Sequence, residues 1–236
     1  MVAVQFLKDF VSLFYPEVCL VCGDGLNSKE EFVCTMCMYK LPKTNYHTHA
    51  DNPLAKVFWG RVEVNAVAAY CHYQKGNAVQ DLVHELKYNG KKKLGPYLGR
   101  WYGNDLKESA LFGRVDAILY VPLHPSKLKK RGYNQSALFA EGLAESMEVP
   151  VLHGAISRVK NTDTQTRKTR YQRWENVEGI FKVDKPTELQ GRHLLLVDDI
   201  ITTGATIEAC AVEILKANPA SLSIASIGCA DTISAI

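Results

Sequence analysis

Short apolar runs alternate with helical periodicity along most of the chain. Residues 117–121, 194–197 and 222–227 are almost entirely apolar, and 62–73 is rich in strand formers. Such runs are typical of strands that are buried on both faces of a parallel sheet. Helical spacing predicts helices near 79–89, 94–102, 136–148 and from about 206 onward, with shorter strands at 149–152 and 176–183. The basic segment 127–135 is predicted to be a loop. Strands that alternate with helices favour crossover connections, so we predict an α/β fold.

The first 45 residues have a different pattern. Residues 4–14 place apolar side chains on one helical face, and two paired-cysteine knuckles follow, at Cys19 and Cys22 and at Cys34 and Cys37. Thiolates at this spacing are typical of a structural four-cysteine zinc site, and the alternative is two disulfides. We predict a zinc module over 1–45 and an α/β domain over 46–236, joined by a Pro- and Gly-containing linker at 42–60. The other three cysteines lie in apolar patterns and are predicted to be core residues.

The most informative stretch follows the apolar run at 194–197. Two acids, Asp198 and Asp199, lead into a small polar segment that ends where helical spacing begins. That segment consists of Thr202, Thr203, Gly204, Ala205 and Thr206. A glycine loop at a helix N-terminus offers free N–H groups to a phosphate, and adjacent carboxylates can accept hydrogen bonds from sugar hydroxyls. The alternative is a capped helix preceded by two solvated acids.

Composition is that of an ordinary globular chain, with 47% hydrophobic and 22% charged residues. No stretch approaches the length of a membrane span, and no signal-like segment is visible, so we expect a cytoplasmic protein. Net charge is only +3, yet the segments 87–93, 127–131 and 158–173 together carry +13. This asymmetry favours a polyanionic ligand, although any one segment taken alone is also consistent with an ordinary solvated surface.

The acid and threonine stretch resembles the phosphoribosyl pyrophosphate (PRPP) motif of type I phosphoribosyltransferases. Together with the cysteine knuckles, His124, the Arg-Gly-Tyr-Asn-Gln run at 131–135 and the polar residues Thr162, Gln165, Arg173 and Asn176, it is similar to the ComF family, including its GntX-like members. Lys127 departs from the pattern, because arginine is expected there. The resemblance implies a type I phosphoribosyltransferase-like parallel sheet flanked by helices, with a small N-terminal zinc module.

The resemblance also implies roles for individual residues. Asp198 and Asp199 would hold the ribose 2- and 3-hydroxyls and favour charge that develops on the ring, residues 202–206 would wrap the 5-phosphate, and Mg²⁺ would bridge pyrophosphate and sugar. Lys129, Lys130 and Arg131 would lie near the pyrophosphate. A basic, aromatic segment would form a lid or contact nucleic acid, unless its aromatic residues belong to the core. Its members are Arg167, Lys168, Arg170, Tyr171, Arg173 and Trp174.

Two functions follow from this resemblance. The first is a PRPP-binding protein that acts in DNA uptake and natural transformation by binding single-stranded DNA, with a DNA-uptake or helicase partner. The alternative is an active phosphoribosyltransferase that transfers phosphoribosyl from PRPP to a base or amine. The sequence identifies neither the acceptor nor the oligomeric state.

Overall fold

The structure is a computed structural model, and it describes residues 17–160 and 179–231. Its main sheet has four strands: β1 (Ala66–Tyr73), β2 (Ala117–Tyr120), β5 (His193–Ile201) and β6 (Ser221–Ala230). They are parallel in the order β1-β6-β5-β2. A short antiparallel pair, β3 (Ile156–Arg158) and β4 (Phe181–Val183), lies apart from the sheet. The predicted strand at 149–152 is present only as a parallel bridge between Val151 and Ile118.

Eight helices occur within these described ranges, along with a 3₁₀ turn at Tyr46–Thr48. They are α1 (Thr35–Tyr39), α2 (Pro53–Lys56), α3 (Ala78–Tyr88), α4 (Leu94–Lys107), α5 (Pro125–Arg131), α6 (Gln135–Met147), α7 (Pro186–Leu189) and α8 (Ala205–Leu215). None of them has the length and apolar character needed to cross a bilayer. The helix predicted at 4–14 lies outside the described residues.

Both faces of the sheet are buried, as the continuous apolar runs predict. Along β5, Leu194 and Leu196 pack on the side of α2 and α8, whereas Leu195 and Val197 pack on the side of α3, α4 and α6. Successive side chains of a strand point to opposite faces, so four consecutive apolar residues serve two core layers. The parallel sheet between helical layers confirms the predicted fold class.

Helices α4 and α6 pack against each other at unusually close range. A Cβ on Gly99 would lie 2.4 Å from the carbonyl oxygen of Phe139 and 2.8 Å from Cα of Gly142. A side chain is therefore excluded at this crossing, because real Cβ atoms do not approach backbone atoms so closely. The close packing fixes the position of α6, whose N-terminal end carries two of the site residues described below.

The segment 42–60 was predicted to be a linker, and this prediction is wrong. Asn52 is only 3% exposed; its amide donates to the carbonyls of His49 and Val67, at 2.8 and 2.9 Å, and its oxygen caps α2. Leu54 and Phe58 are fully buried beside β1. The segment contains proline and glycine, but its apolar residues pack against one edge of the core.

The segment 127–135 was predicted to be a loop, whereas the structure has α5 across Pro125–Arg131. His124 caps this helix by accepting a hydrogen bond from the Ser126 N–H at 3.3 Å, and Pro125 occupies the first turn. Gly132 ends the helix in the left-handed conformation, with φ +80°. The sequence does not predict this helix because the helix has no buried apolar face, and helical periodicity is therefore absent.

The cysteine module packs directly on the α/β core. Cys19, Val33 and Met38 are buried in the same apolar cluster as Tyr70 and Tyr97. The Tyr97 hydroxyl donates to the carbonyl of Val33 at 3.4 Å, and the Tyr70 hydroxyl lies 3.7 Å from Sδ of Met38. A domain boundary near residue 45 stays a prediction, and the contacts across it combine apolar packing with the Tyr97–Val33 hydrogen bond and an ion pair between Arg100 and Glu31.

Candidate functional site

The loop between β5 and α8 forms a small pocket at the carboxyl edge of the sheet. Its lining consists of Asp198 and residues 200–207. Thr202, Thr203 and Thr206 are exposed, and α8 begins at Ala205 with its free N–H groups at this loop. Phosphate groups suit this arrangement because the N–H groups and the positive end of the helix dipole both favour an anion.

Gly204 has a steric and a conformational reason to be glycine. Its φ is +76°, in the left-handed region, and a Cβ added to it would lie 3.0 Å from Cζ of Phe58 and 3.1 Å from Cγ1 of Val57. Phe58 is itself fully buried. The loop therefore rests on the segment after α2, which sequence reasoning had assigned to the linker.

Arg61 is a site-supporting residue that the sequence analysis missed. Its guanidinium donates to the carbonyl of Thr203 at 3.3 Å and to that of Val57 at 3.0 Å, and it forms an ion pair with Glu208. Glu208 lies in the first turn of α8. The ion pair with Arg61 therefore neutralises the charge of Glu208 at the helix end where a phosphate would bind. A lone arginine in a loop carries no sequence signal for this contact.

The two acids occupy different environments. Asp198 lines the pocket, and its Oδ1 accepts from the Ser136 hydroxyl at 2.8 Å. Asp199 is 6% exposed, and its Oδ2 lies 2.5 Å from Nε2 of Gln135 and 2.9 Å from Nζ of Lys87. Burial, together with the neighbouring Asp199 carboxylate, raises the pKa of Asp198 to about 7. Sequence reasoning identified the acids but not Lys87 or Ser136 as their partners.

The Arg-Gly-Tyr-Asn-Gln run connects α3, α6 and the acids. Arg131 donates to Oε1 of Gln135 and stacks over the ring of Tyr88, and the Tyr133 hydroxyl donates to the carbonyl of Leu86. Asn134 caps α6 and also donates to the carbonyl of Val121 at 3.0 Å. Each polar side chain of the run therefore has a defined partner close to the acidic pair.

The other predicted site residues lie in two places. Lys129 and Lys130 are exposed on α5, while Arg131 is half-buried between Tyr88 and Gln135. The predicted lid, comprising Arg167, Lys168, Arg170, Tyr171, Arg173 and Trp174, lies outside the described residues, as do Thr162, Gln165 and Asn176.

The four predicted metal ligands come together in one cluster. The sulfur atoms of Cys19, Cys22, Cys34 and Cys37 lie within 4.8 Å of one another, and those of Cys22 and Cys34 are 3.8 Å apart. Tetrahedral coordination with Zn–S bonds of about 2.3 Å requires sulfur atoms about 3.8 Å apart. Backbone N–H groups of Val21 and Cys34 point at the Cys19 sulfur, at 3.4 and 3.3 Å, and stabilise a thiolate. The donor set and its spacing fit zinc.

Comparison with known proteins agrees with this geometry. Residues 134–232 match the family model described as the phosphoribosyl transferase domain. Over these residues the chain is similar to that family. This match spans α6, β5, the pocket loop, α8 and β6, so it includes both acids and the threonines of the pocket loop.

Several relatives extend the match toward the N-terminus. The chain is 27% identical to the DNA utilization protein YhgH of Escherichia coli (strain K12) over 211 residues, 88% of each chain. It is 25% identical to competence protein F of Haemophilus influenzae over 205 residues, 82% of this chain and 89% of that one. It is 34% identical to competence protein ComFC of Bacillus subtilis over 91 residues, 39% of this chain and 35% of that one. These relatives and the four-cysteine cluster confirm the resemblance to the ComF family.

Proposed function

We propose that this protein binds PRPP with Mg²⁺ at the pocket formed by Asp198 and residues 200–207. The observation that carries the proposal is the pairing of a helix N-terminus, which suits a phosphate, with two acids at one strand end, of which Asp198 lines the pocket. The 5-phosphate would lie on the N–H groups and threonine hydroxyls of the loop, and the ribose hydroxyls would donate to the acids. Mg²⁺ would neutralise the pyrophosphate, with Lys129 and Lys130 on α5 as further cations.

Calorimetry with PRPP and Mg²⁺ tests this proposal. The double variant Asp198→Asn, Asp199→Asn removes both charged acceptors, and each charge-assisted hydrogen bond contributes on the order of 1.5 to 3 kcal/mol. We expect at least a roughly tenfold loss of affinity. Asp81→Asn, on the exposed face of α3, is the matched control and should bind like the parent protein. Equal affinity of the double variant and the parent would exclude the assigned role of the acids.

A role in handling single-stranded DNA is the second part of the proposal. Two of the basic segments adjoin, because Nζ of Lys92 lies 5.1 Å from the ring centre of Tyr133 and Arg131 stacks over Tyr88. Tyr88 is 66% exposed. Six exposed lysines of these segments form no ion pair with any described acid: Lys91, Lys92, Lys93, Lys127, Lys129 and Lys130.

Such a surface suits single-stranded nucleic acid, since cations follow the backbone while an exposed ring stacks on a base. The names of the relatives, which refer to DNA utilization and competence, support the same function. The expected cytoplasmic location and a DNA-uptake or helicase partner belong to this proposal. The predicted lid residues are further candidates for the DNA contact.

Fluorescence anisotropy of a labelled single-stranded oligonucleotide across a salt series tests the DNA function. Affinity should fall steeply with salt, because phosphate contacts release counterions. Changing Lys91, Lys92 and Lys93 together to glutamine should weaken binding and lower the salt slope, whereas Lys216→Gln, at the residue that follows α8, should not. Arg170→Ala with Arg173→Ala should weaken both oligonucleotide and PRPP if the predicted lid serves both. Absence of binding at low salt would refute the DNA function.

Transferase activity is the alternative for the same pocket. Displacement of pyrophosphate from C1 of the ribose places positive charge on the ring, and the acids lie where they would stabilise that charge. The test is release of pyrophosphate from PRPP in the presence of a panel of purines, pyrimidines and amines. Release that depends on one acceptor and is lost in the Asp198→Asn, Asp199→Asn variant would establish the enzyme.

A further inference from the structure

Lys87 lies in the last turn of α3, far in sequence from the acids that it contacts. Its Nζ is 2.9 Å from Oδ2 of Asp199, and the two side chains are only 22% and 8% exposed. The sequence suggests nothing more for this residue than one charge in a basic segment. In the fold it forms an ion pair with Asp199, in a partly desolvated position where the attraction between opposite charges is stronger than in water.

The surrounding contacts hold this lysine and its partner in place. The Tyr133 hydroxyl binds the carbonyl of Leu86, the residue before Lys87, and so anchors the end of α3. On the other side, Gln135 donates to Asp199 at 2.5 Å while its own oxygen accepts from Arg131. Both ends of the Gln135 amide are therefore occupied, which fixes its orientation toward the acid.

Asp199 differs from Asp198 in its relation to the pocket. Oδ2 of Asp199 receives both Lys87 and Gln135, and its Oδ1 accepts from the backbone N–H of Ile200 at 2.6 Å. Asp198 lines the pocket and shares its Oδ1 between Ser136 and the backbone N–H of Asp199. Asp199 is thus fixed by these three partners, whereas Asp198 is the acid that lines the pocket.

We propose that Lys87 is a positioning residue of the ribose site: its ammonium compensates the charge of Asp199 and, with the Arg131–Gln135 pair, holds Asp199 in place beside Asp198, the acid that lines the pocket and would accept from ribose hydroxyls. The inference rests on the proposed ribose-phosphate ligand. It assigns Lys87 and Arg131 to the acids, and it gives the Arg-Gly-Tyr-Asn-Gln run a structural role in that site.

The charges around Asp198 explain the expected effect of losing this lysine. Within residues 17–160 and 179–231, the titratable groups that act on it are Asp199, Lys87, Arg158 and Cys210. Burial and Asp199 raise the pKa of Asp198, and Lys87 opposes them. Without the ammonium, Asp198 would retain a proton to higher pH, and a protonated carboxyl is a poorer acceptor for sugar hydroxyls.

The test compares Lys87→Met, Lys87→Arg and the control Lys75→Met, an exposed lysine in the turn before α3. Calorimetry with PRPP and Mg²⁺ is run from pH 6 to 9, and thermal melting checks folding. We expect Lys87→Met to lose roughly tenfold in affinity at pH 7 and to regain most of it by pH 9, with the profile shifted upward by about one pH unit. Lys87→Arg should restore the parent profile, and Lys75→Met should match the parent.

A second readout does not depend on the ligand. Carbon-13 NMR of the aspartate carboxyl groups, assigned with Asp198→Asn, follows protonation in the ligand-free protein, and Lys87→Met should move the Asp198 midpoint to higher pH. A parent protein that fails to bind PRPP would refute the proposed ligand, while the NMR titration would still decide the role of Lys87. An unshifted midpoint, or an affinity loss that is the same at every pH, would overturn the positioning role.

Discussion

Gly204→Ala is expected to destabilise the protein by roughly 2 to 5 kcal/mol and to weaken ribose-phosphate binding. Gly204 lies at the junction of β5 and α8, with φ +76°, immediately before the helix that would receive the phosphate. Its added methyl group would lie 3.0 Å from Cζ of Phe58 and 3.1 Å from Cγ1 of Val57.

Two contributions make up the expected destabilisation by Gly204→Ala. A left-handed conformation costs a non-glycine residue about 1 to 2 kcal/mol. Inserting a methyl group against packed side chains costs about 1 to 3 kcal/mol more when the neighbours cannot move. Phe58 is fully buried and Val57 follows α2, so relief of the contact would shift the loop away from the pocket.

Gly191→Ala separates these terms. Gly191 has a similar φ of +70°, but a Cβ added to it would meet no atom within 4 Å, so only the conformational cost applies. Urea unfolding should give a loss for Gly204→Ala that exceeds that for Gly191→Ala by about 1 to 3 kcal/mol. Calorimetry with PRPP should detect weaker binding only for Gly204→Ala. Equal destabilisation by the two changes would refute the inference that Phe58 and Val57 hold the loop.

Three further predictions concern the metal, the acids and the loop. Protein purified without chelator should contain one zinc per chain, and Cys34→Ser should lose it and be less stable; metal analysis giving under half an equivalent for the parent would contradict this. Because the pKa of Asp198 is raised to about 7 from the ordinary 3.8, the ligand-free folded chain binds more protons than the unfolded chain between these values. The bound proton therefore stabilises the folded state fully below pH 4, and this stabilisation is lost as pH rises through 7. Asp198→Asn should remove this pH dependence of the unfolding free energy in urea titrations, and an unchanged pH dependence would count against the raised pKa. Arg61→Gln should cost under about 1 kcal/mol in stability, since the ion pair with Glu208 is partly exposed, yet weaken PRPP binding several-fold by releasing the Thr203 carbonyl; unaltered affinity would argue against this role.

Local patterns in the chain were sufficient for the fold class and for the centre of the site. The continuous apolar run at 194–197 identified a strand buried on both faces, and the following acids and threonines predicted an anion site at the place where the structure has a pocket; anion binding there stays a prediction. The cysteine spacing predicted a cluster that the structure assembles. Predictions that relied on composition failed at 42–60 and 127–135. The prolines of the first segment suggested a linker, but the segment is partly buried. The lysines of the second suggested a loop, but it forms a capped helix.

Periodicity, capping residues and ligand spacing act within a few residues, so the sequence by itself determined the strands of the main sheet, most helices and the spacing of the four clustered cysteines. Partners that are distant along the chain were decided only by the tertiary structure. Lys87 reaches Asp199 because α3 ends beside the carboxyl end of β5, and Arg61 reaches Glu208 across 147 residues because the segment after α2 packs under the loop. Neither pairing can be read from local sequence. A charged residue pairs with whichever opposite charge lies near it after the core has packed, and packing decides which ends of helices and strands are neighbours.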